Sequence, residues 1–235
     1  PEILAQSGTA ELPEQAAHHA AQVLRLQAGD RVSVFNGRGG EADARITDIG
    51  KRNVTVEIVD WQAVERESPL QVTLAQAISA GEKMDFTLQK AVELGIGNIQ
   101  PLASERSVVR LSGERAEKRV AHWQGVVISA CEQSGRNRVP EVAPIRPLLD
   151  WLPEQGEPGL RLMLAPDAET GLHDLAKPSG SVTLLIGPEG GFSPAETAAA
   201  RRLGFTPARL GARVLRTETA ALAMLAAMQA LWGDF

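Results

Sequence analysis

Leu184-Leu185-Ile186-Gly187-Pro188-Glu189-Gly190-Gly191-Phe192-Ser193-Pro194-Ala195-Glu196 joins the end of a strand, a glycine-rich turn and the start of a helix. Residues 182–186 are apolar and partly β-branched, the composition of a short strand covered on both faces in a parallel sheet. Pro188 second and Gly190 fourth suit a tight turn. Ser193 and Glu196 form the S-x-x-E capping pattern, and Pro194 takes the first helical position, where its missing N–H costs nothing. Bare backbone at the carboxyl end of such a strand is where open α/β sheets receive ligands.

The rest of the chain extends this pattern on one side and breaks it on the other. Strand candidates at 70–78, 98–102, 160–165 and 208–210 alternate with helices predicted over 83–94 and 114–133, the order of a mostly parallel sheet. In the second helix Val120, Trp123, Val127 and Cys131 recur at helical spacing and mark its buried face. Residues 31–35, 41–49 and 53–59 instead alternate as antiparallel strands. Asn36-Gly37-Arg38-Gly39-Gly40 and Gly50-Lys51-Arg52-Asn53 are their turns. A short amphipathic helix over 13–24 precedes them. The polar run 62–69 reads as a linker, so a first domain over 1–66 and a second over 67–235 are expected.

A chain of 235 residues can bury two modest cores. Its one cysteine, Cys131, allows no internal disulfide, which points to a reducing, cytoplasmic location. No leader peptide opens the sequence, which starts at Pro1. The longest apolar stretch, 219–232, is too short to span a bilayer, so no membrane partner is expected. The net charge of -5 argues against coating nucleic acid by bulk attraction. Basic residues are nevertheless clustered: Arg201, Arg202, Arg209, Arg213 and Arg216 share an acid-free segment, and Arg106, Arg110, Arg115, Lys118, Arg119, Arg136 and Arg138 crowd a second segment that also carries acidic residues. From charge alone, phosphate-binding faces and plain solvated surface are equal readings.

Between Ala220 and Trp232 only Gln229 is polar. A helix apolar all round needs protein on every side, from a symmetric partner, a covering loop or the centre of its own core. Other chemistries are missing. The glycines match neither a nucleoside triphosphate loop nor a dinucleotide fingerprint, no G-x-S-x-G elbow occurs, and the four histidines lack ligand spacing with Cys131, so no metal is expected.

Three segments together carry a resemblance that covers nearly the whole chain. They are Ile186–Gly191; Leu210-Gly211 with Val214-Leu215-Arg216-Thr217-Glu218-Thr219-Ala220; and Ala130-Cys131-Glu132-Gln133-Ser134-Gly135-Arg136-Asn137-Arg138-Val139-Pro140. With Gly81-Glu82-Lys83-Met84, Ser104-Glu105-Arg106 and Val23-Leu24-Arg25, the set resembles the small-subunit (16S) ribosomal RNA uridine-N3 methyltransferases of the SPOUT class. The resemblance implies an α/β fold with a small N-terminal PUA-like β-barrel, then a SPOUT domain closed by a C-terminal deep trefoil knot, a feature sequence physics alone would not propose. It implies S-adenosylmethionine as cofactor, a homodimer formed through the last helix, and 16S ribosomal RNA or the assembled small subunit as partner.

Carried over position by position, the cofactor would meet Leu164, Ala165 and Pro166; Ile186, Gly187, Pro188, Glu189 and Gly190; Leu210 and Gly211; and Val214, Leu215, Arg216, Thr219 and Ala220. Glycines there let the main chain approach closely, although plain turn formation would also explain them. Methylating an imide nitrogen requires its proton to leave, so a fixed cation near the base oxygens would stabilise the anion. Arg216 is the expected electrostatic catalyst and cannot be the base. Glu218 would orient Arg216 or assist proton removal, or simply complement the helix dipole. Arg25, Arg106, Arg136 and Arg138 are the expected RNA contacts. Transfer to another RNA position, a non-catalytic assembly factor that keeps the scaffold, and a phosphometabolite site at the Ser193 helix start stay open at this stage.

Overall fold

The computed structural model describes residues 8–51, 53–155 and 159–235. Arg52 of the second expected turn and the first seven residues of the expected first domain lie outside them. The chain divides into two compact units. One contains the residues up to Glu67 together with Gly135–Val139, and the other contains Ser68–Ser134 with Pro140–Phe235.

In the first unit, β1 (Gly8–Glu11), β2 (Arg31–Val34), β3 (Glu41–Ile49) and β4 (Val54–Gln62) form an antiparallel sheet in the order β1-β4-β3-β2. Period-two alternation does the sorting: Ala42, Ala44 and Ile46 of β3 and Val54, Val56 and Ile58 of β4 are buried with Ala17 and Val34. Helix α1 (Glu14–His18) continues into a π-helical turn, His19–Val23. Just after it, Arg25 has φ of 55°, a left-handed conformation unusual for a side chain of this size.

Two ion pairs hold residues 135–139 in this unit: Arg138 Nε meets Glu65 Oε2 at 2.7 Å, and Arg136 pairs with Glu67. Arg66, itself paired with Glu41 at 2.6 Å, donates from Nη1 to the Gly135 carbonyl at 3.1 Å. Backbone links accompany them: Gly39 N donates to the Asn137 carbonyl and Val139 N to that of Gly37, both at 3.0 Å. Gly39 has φ of 99°, a conformation that strains any residue with a side chain.

The second unit is built on parallel strands: β5 (Val72–Ala77), β6 (Asn98–Ala103), β7 (Glu141–Val142), β8 (Arg146–Pro147), β9 (Gly159–Leu164), β10 (Ser181–Ile186) and β11 (Thr206–Ala208). Their order is β11-β9-β10-β5-β6-β7, with β8 also on β6. Strand β10 therefore lies between two strands that precede it in the chain, and Val182, Leu184 and Leu185 are fully buried there. On one side Trp151, Leu152, Met163, Ala200 and Phe205 form a core with α4 (Leu148–Trp151) and α5 (Pro194–Arg202). Helices α2 (Lys83–Glu93), α3 (Gly113–Ser134) and α6 (Thr217–Trp232) also pack, α2 touching both α3 and α6. Among the described residues no helix is long and apolar enough to cross a membrane.

Helix α6 is not covered evenly. Ala221, Met224, Leu225, Met228, Gln229 and Trp232 are buried, whereas Leu231 is 52% exposed. The one polar side chain of its apolar stretch is satisfied inside: Ser68 Oγ donates to Gln229 Oε1 at 2.7 Å, and Gln229 Nε2 donates to the Leu94 carbonyl at 2.9 Å.

The Arg136 side chain is only 6% exposed and its partner Glu67 17%. Breaking a buried pair strands a charge, so Arg136→Ala is expected to cost about 3 kcal/mol of unfolding free energy, measured by denaturant titration.

Candidate active site

Parallel pairing sets the carboxyl ends of β9, β10 and β11 on one edge of the sheet, at Leu164, Ile186 and Ala208. Hydrogen bonds join the loops that follow. Ala165 N donates to the Ala208 carbonyl at 3.0 Å, and Thr217 Oγ1 donates to the Gly187 carbonyl at 2.7 Å. The structure thus brings the 164–166, 186–190 and 210–217 segments into one neighbourhood.

The β10 turn is held from several directions. Gly191 N donates to the Pro188 carbonyl at 2.8 Å, and Gly191 has φ of 67°. A Cβ on Gly187 would meet the Phe192 ring at 3.3 Å, so the strand end has little room for a side chain. The capping box at Ser193 is present, and buried Glu196 does more than cap: its carboxylate also accepts from Ser104 Oγ at 3.1 Å and Glu105 N at 2.8 Å. That bridge carries the neighbouring Arg106, whose Nη1 donates to the Gly190 carbonyl at 3.1 Å. Glu189 accepts from Lys83 Nζ at 3.1 Å and from Ala80 N at 3.3 Å.

The segment leaving β11 is different. Among the described residues the amides of 210–215 donate to no other protein group, and Val214 is 80% exposed. A cavity of about 410 Å³, within the size range of small-molecule sites, opens beside it between residues 171–174 and 209–212. It includes Leu210 and Gly211 but not the other expected cofactor residues. The 171–174 wall was missed in the sequence, although its G-x-x-D spacing was a usable signal: Gly171 N donates to Asp174 Oδ2 at 2.7 Å.

Arg216 is exposed at the N-cap of α6, without a side-chain partner among the described residues. Glu218 lies in the first turn, its Oε2 buried and without a hydrogen-bond partner there. The two are not ion-paired to each other. Thr219 is exposed and Ala220 half-buried. Of the arginines expected at RNA, Arg25 and Arg106 are exposed and Arg138 is half-exposed on Glu65, whereas Arg136 lies inside against Glu67.

A parallel sheet with a glycine turn at its carboxyl edge, and Arg216 just beyond it, defines an α/β protein of the kind that receives ligands at that edge. The chain belongs to the RNA methyltransferase family. The family's RNA methyltransferase domain matches residues 66–229, and its RNA methyltransferase PUA domain matches residues 12–59. Ribosomal RNA small subunit methyltransferase E of Buchnera aphidicola (Schizaphis graminum) is 37% identical over 92% of this chain and 88% of its own length. The crystal structure of ribosomal RNA small subunit methyltransferase E from Neisseria gonorrhoeae bound to S-adenosyl methionine is 45% identical. It superposes with a TM-score of 0.93 over 100% of this chain and 97% of its own. A Legionella pneumophila methyltransferase in complex with the cofactor SAM is 41% identical with a TM-score of 0.96, again over 100% and 97%. With these relatives the α/β architecture is that of the SPOUT methyltransferases with an N-terminal PUA-like domain.

Burial works to raise the Glu189 carboxyl, but its own backbone amide, the Lys83 ammonium and the Ala80 amide outweigh it and hold the group below the ordinary carboxylate range. A lowered folded-state pKa contributes stability above the unfolded value and loses it as pH falls through the folded one. Glu189→Gln should therefore flatten the fall of melting temperature with acid below about pH 4.3, measured by calorimetry across the range.

Proposed function

We propose that this chain is an S-adenosylmethionine-dependent methyltransferase of small-subunit ribosomal RNA, and that the atom it methylates is N3 of a uridine. The observation that carries the reading is the 210–215 run after β11, whose backbone amides donate to no other protein group among the described residues.

The residues present fit the cofactor. An adenosyl group is an apolar plate with a polar edge, recognised by an apolar slot with free main-chain donors and acceptors. Leu164, Ala165, Pro166, Ile186, Leu210, Val214 and Leu215 would supply the slot, and Gly187, Gly190 and Gly211 the bare backbone. Pro188, Glu189, Thr219 and Ala220 would close it. When bound, S-adenosylmethionine supplies an electrophilic methyl group.

The chain's own residues handle the base. N3 of uridine carries a proton at neutral pH, and its loss leaves negative charge on the flanking carbonyl oxygens. Arg216, always charged and without a carboxylate partner among the described residues, stabilises that charge. Glu218, in the first turn of α6 with one oxygen unpartnered among the described residues, orients Arg216 or takes the proton. The target uridine turns out of its stack to reach the site. Arg25, Arg106 and Arg138 contact phosphates, while Arg136 braces the segment that carries Arg138.

The outer stripe of α6, with Leu222, Ala223, Ala226, Ala230 and Leu231, forms the homodimer interface, which would cover the half of the helix its own chain leaves open. The trefoil knot belongs to the same proposal, supported by β10 lying between two earlier strands and by the Gly187–Thr217 bond. The compartment is the cytoplasm.

Incubation with labelled S-adenosylmethionine and unmodified small subunits, followed by nuclease digestion and mass spectrometry, tests the reading. It expects 3-methyluridine; label on another atom, or none, overturns it. Arg216→Ala should lower kcat about a hundredfold while changing cofactor Kd by less than about threefold. Arg25→Ala and Arg106→Ala should each reduce the slope of log affinity against log salt by about one, read from RNA binding at several ionic strengths.

A further inference from the structure

Gln76 occupies a position that apolar patterning would give to an aliphatic residue. It lies in central strand β5, directly opposite Ile186 of β10, and is 0% exposed. A buried amide in such a place is costly unless it is bonded. Its Nε2 donates to the Ala77 carbonyl and to Thr217 Oγ1, both at 3.0 Å, and Oε1 has no partner among the described residues. Thr217 is 6% exposed and passes the chain of bonds on, its hydroxyl donating to the Gly187 carbonyl at 2.7 Å.

Helix capping does not account for that hydroxyl. Thr217 is the first residue of α6, the N-cap is Arg216, and no side-chain cap is made. The hydroxyl instead ties together three points distant in sequence: the middle of the sheet, the glycine turn after β10, and the start of α6. Arg216 and Glu218 are its immediate neighbours. Where α6 begins relative to Gly187 therefore depends on one oxygen that accepts from Gln76 and donates to the turn.

We infer that Thr217 is a positioning residue for methyl transfer, its hydroxyl bridge from Gln76 to Gly187 setting where Arg216 and Glu218 stand relative to the turn. This rests on the cofactor and Arg216 roles proposed above. Thr217 is buried, its hydroxyl engaged by Gln76 and the Gly187 carbonyl. It acts through its neighbours, so its loss should appear in turnover more than in ligand capture.

Thr217→Val keeps the shape and removes both bonds, whereas Thr217→Ser keeps the hydroxyl. In the full chain, with ribosomal subunits and S-adenosylmethionine saturating, the valine variant should lose about tenfold or more in kcat. Its KM for subunits should stay within about threefold of the parent, and the serine variant should recover most of the lost turnover. Equal kcat for the valine variant and the parent, or equal loss in the valine and serine variants, overturns the inference. If the valine variant does not fold, Thr217→Ala against Thr217→Ser asks the same question, and equal turnover of those two overturns it. A parent protein that takes up no S-adenosylmethionine by calorimetry and transfers no methyl group would remove the underlying function as well. An active parent with an indifferent valine variant would remove this inference alone.

Discussion

Insertion of Ser181–Ile186 between β9 and β5 is the constraint on which the rest of the second unit depends. A strand with parallel neighbours on both sides pairs all its backbone groups in the ladder, so both its faces must be apolar, and Val182, Leu184, Leu185 and Ile186 meet that demand. Where pairing ends, at Gly187, the backbone is free for other uses. The turn, the α5 cap and the start of α6 are all arranged around that point.

Polar groups around the turn do the arranging, Glu196 and Thr217 buried and Glu189 at the surface, each with partners. Glu196 caps α5 and also holds the 104–106 segment, bringing Arg106 to the Gly190 carbonyl. Glu189 draws in Lys83 and Ala80. Thr217 closes the third side. Such bonds add modest net stability but are expensive to leave half-made, which favours a single geometry over a family of nearly equal ones. By contrast, residues 211–214 stay exposed, and the amides of 210–215 donate to no other protein group among the described residues, the condition expected of backbone that meets a ligand.

Much of this was legible in the residues. Ser193 with Glu196 marked the α5 cap, and the 3.6-residue spacing of Trp123, Val127 and Cys131 marked the inner face of α3. Strand ends near 164 and 186 followed from short apolar runs halted by turn residues, whereas the strand expected over 208–210 lies at Thr206–Ala208. The basic segment after α3 was harder. Arg136 and Arg138 look alike in sequence, yet one is buried on Glu67 and the other half-exposed on Glu65, because residues 135–139 return to the first unit. No local pattern announces a partner seventy positions away in the chain, as Arg136 and Glu67 nearly are.

Local chemistry determined the elements: alternation made the antiparallel strands, helical spacing the helices, and Gly, Pro and Ser their ends. The same local chemistry also carried the family resemblance, since its motifs are contiguous. Tertiary structure alone decided which loops became neighbours, which face of α6 its own chain covers, and which charged groups became braces. Those outcomes depend on strand order and on hydrogen bonds between residues such as Gln76, Gly187 and Thr217, whose separation along the chain leaves no periodic trace.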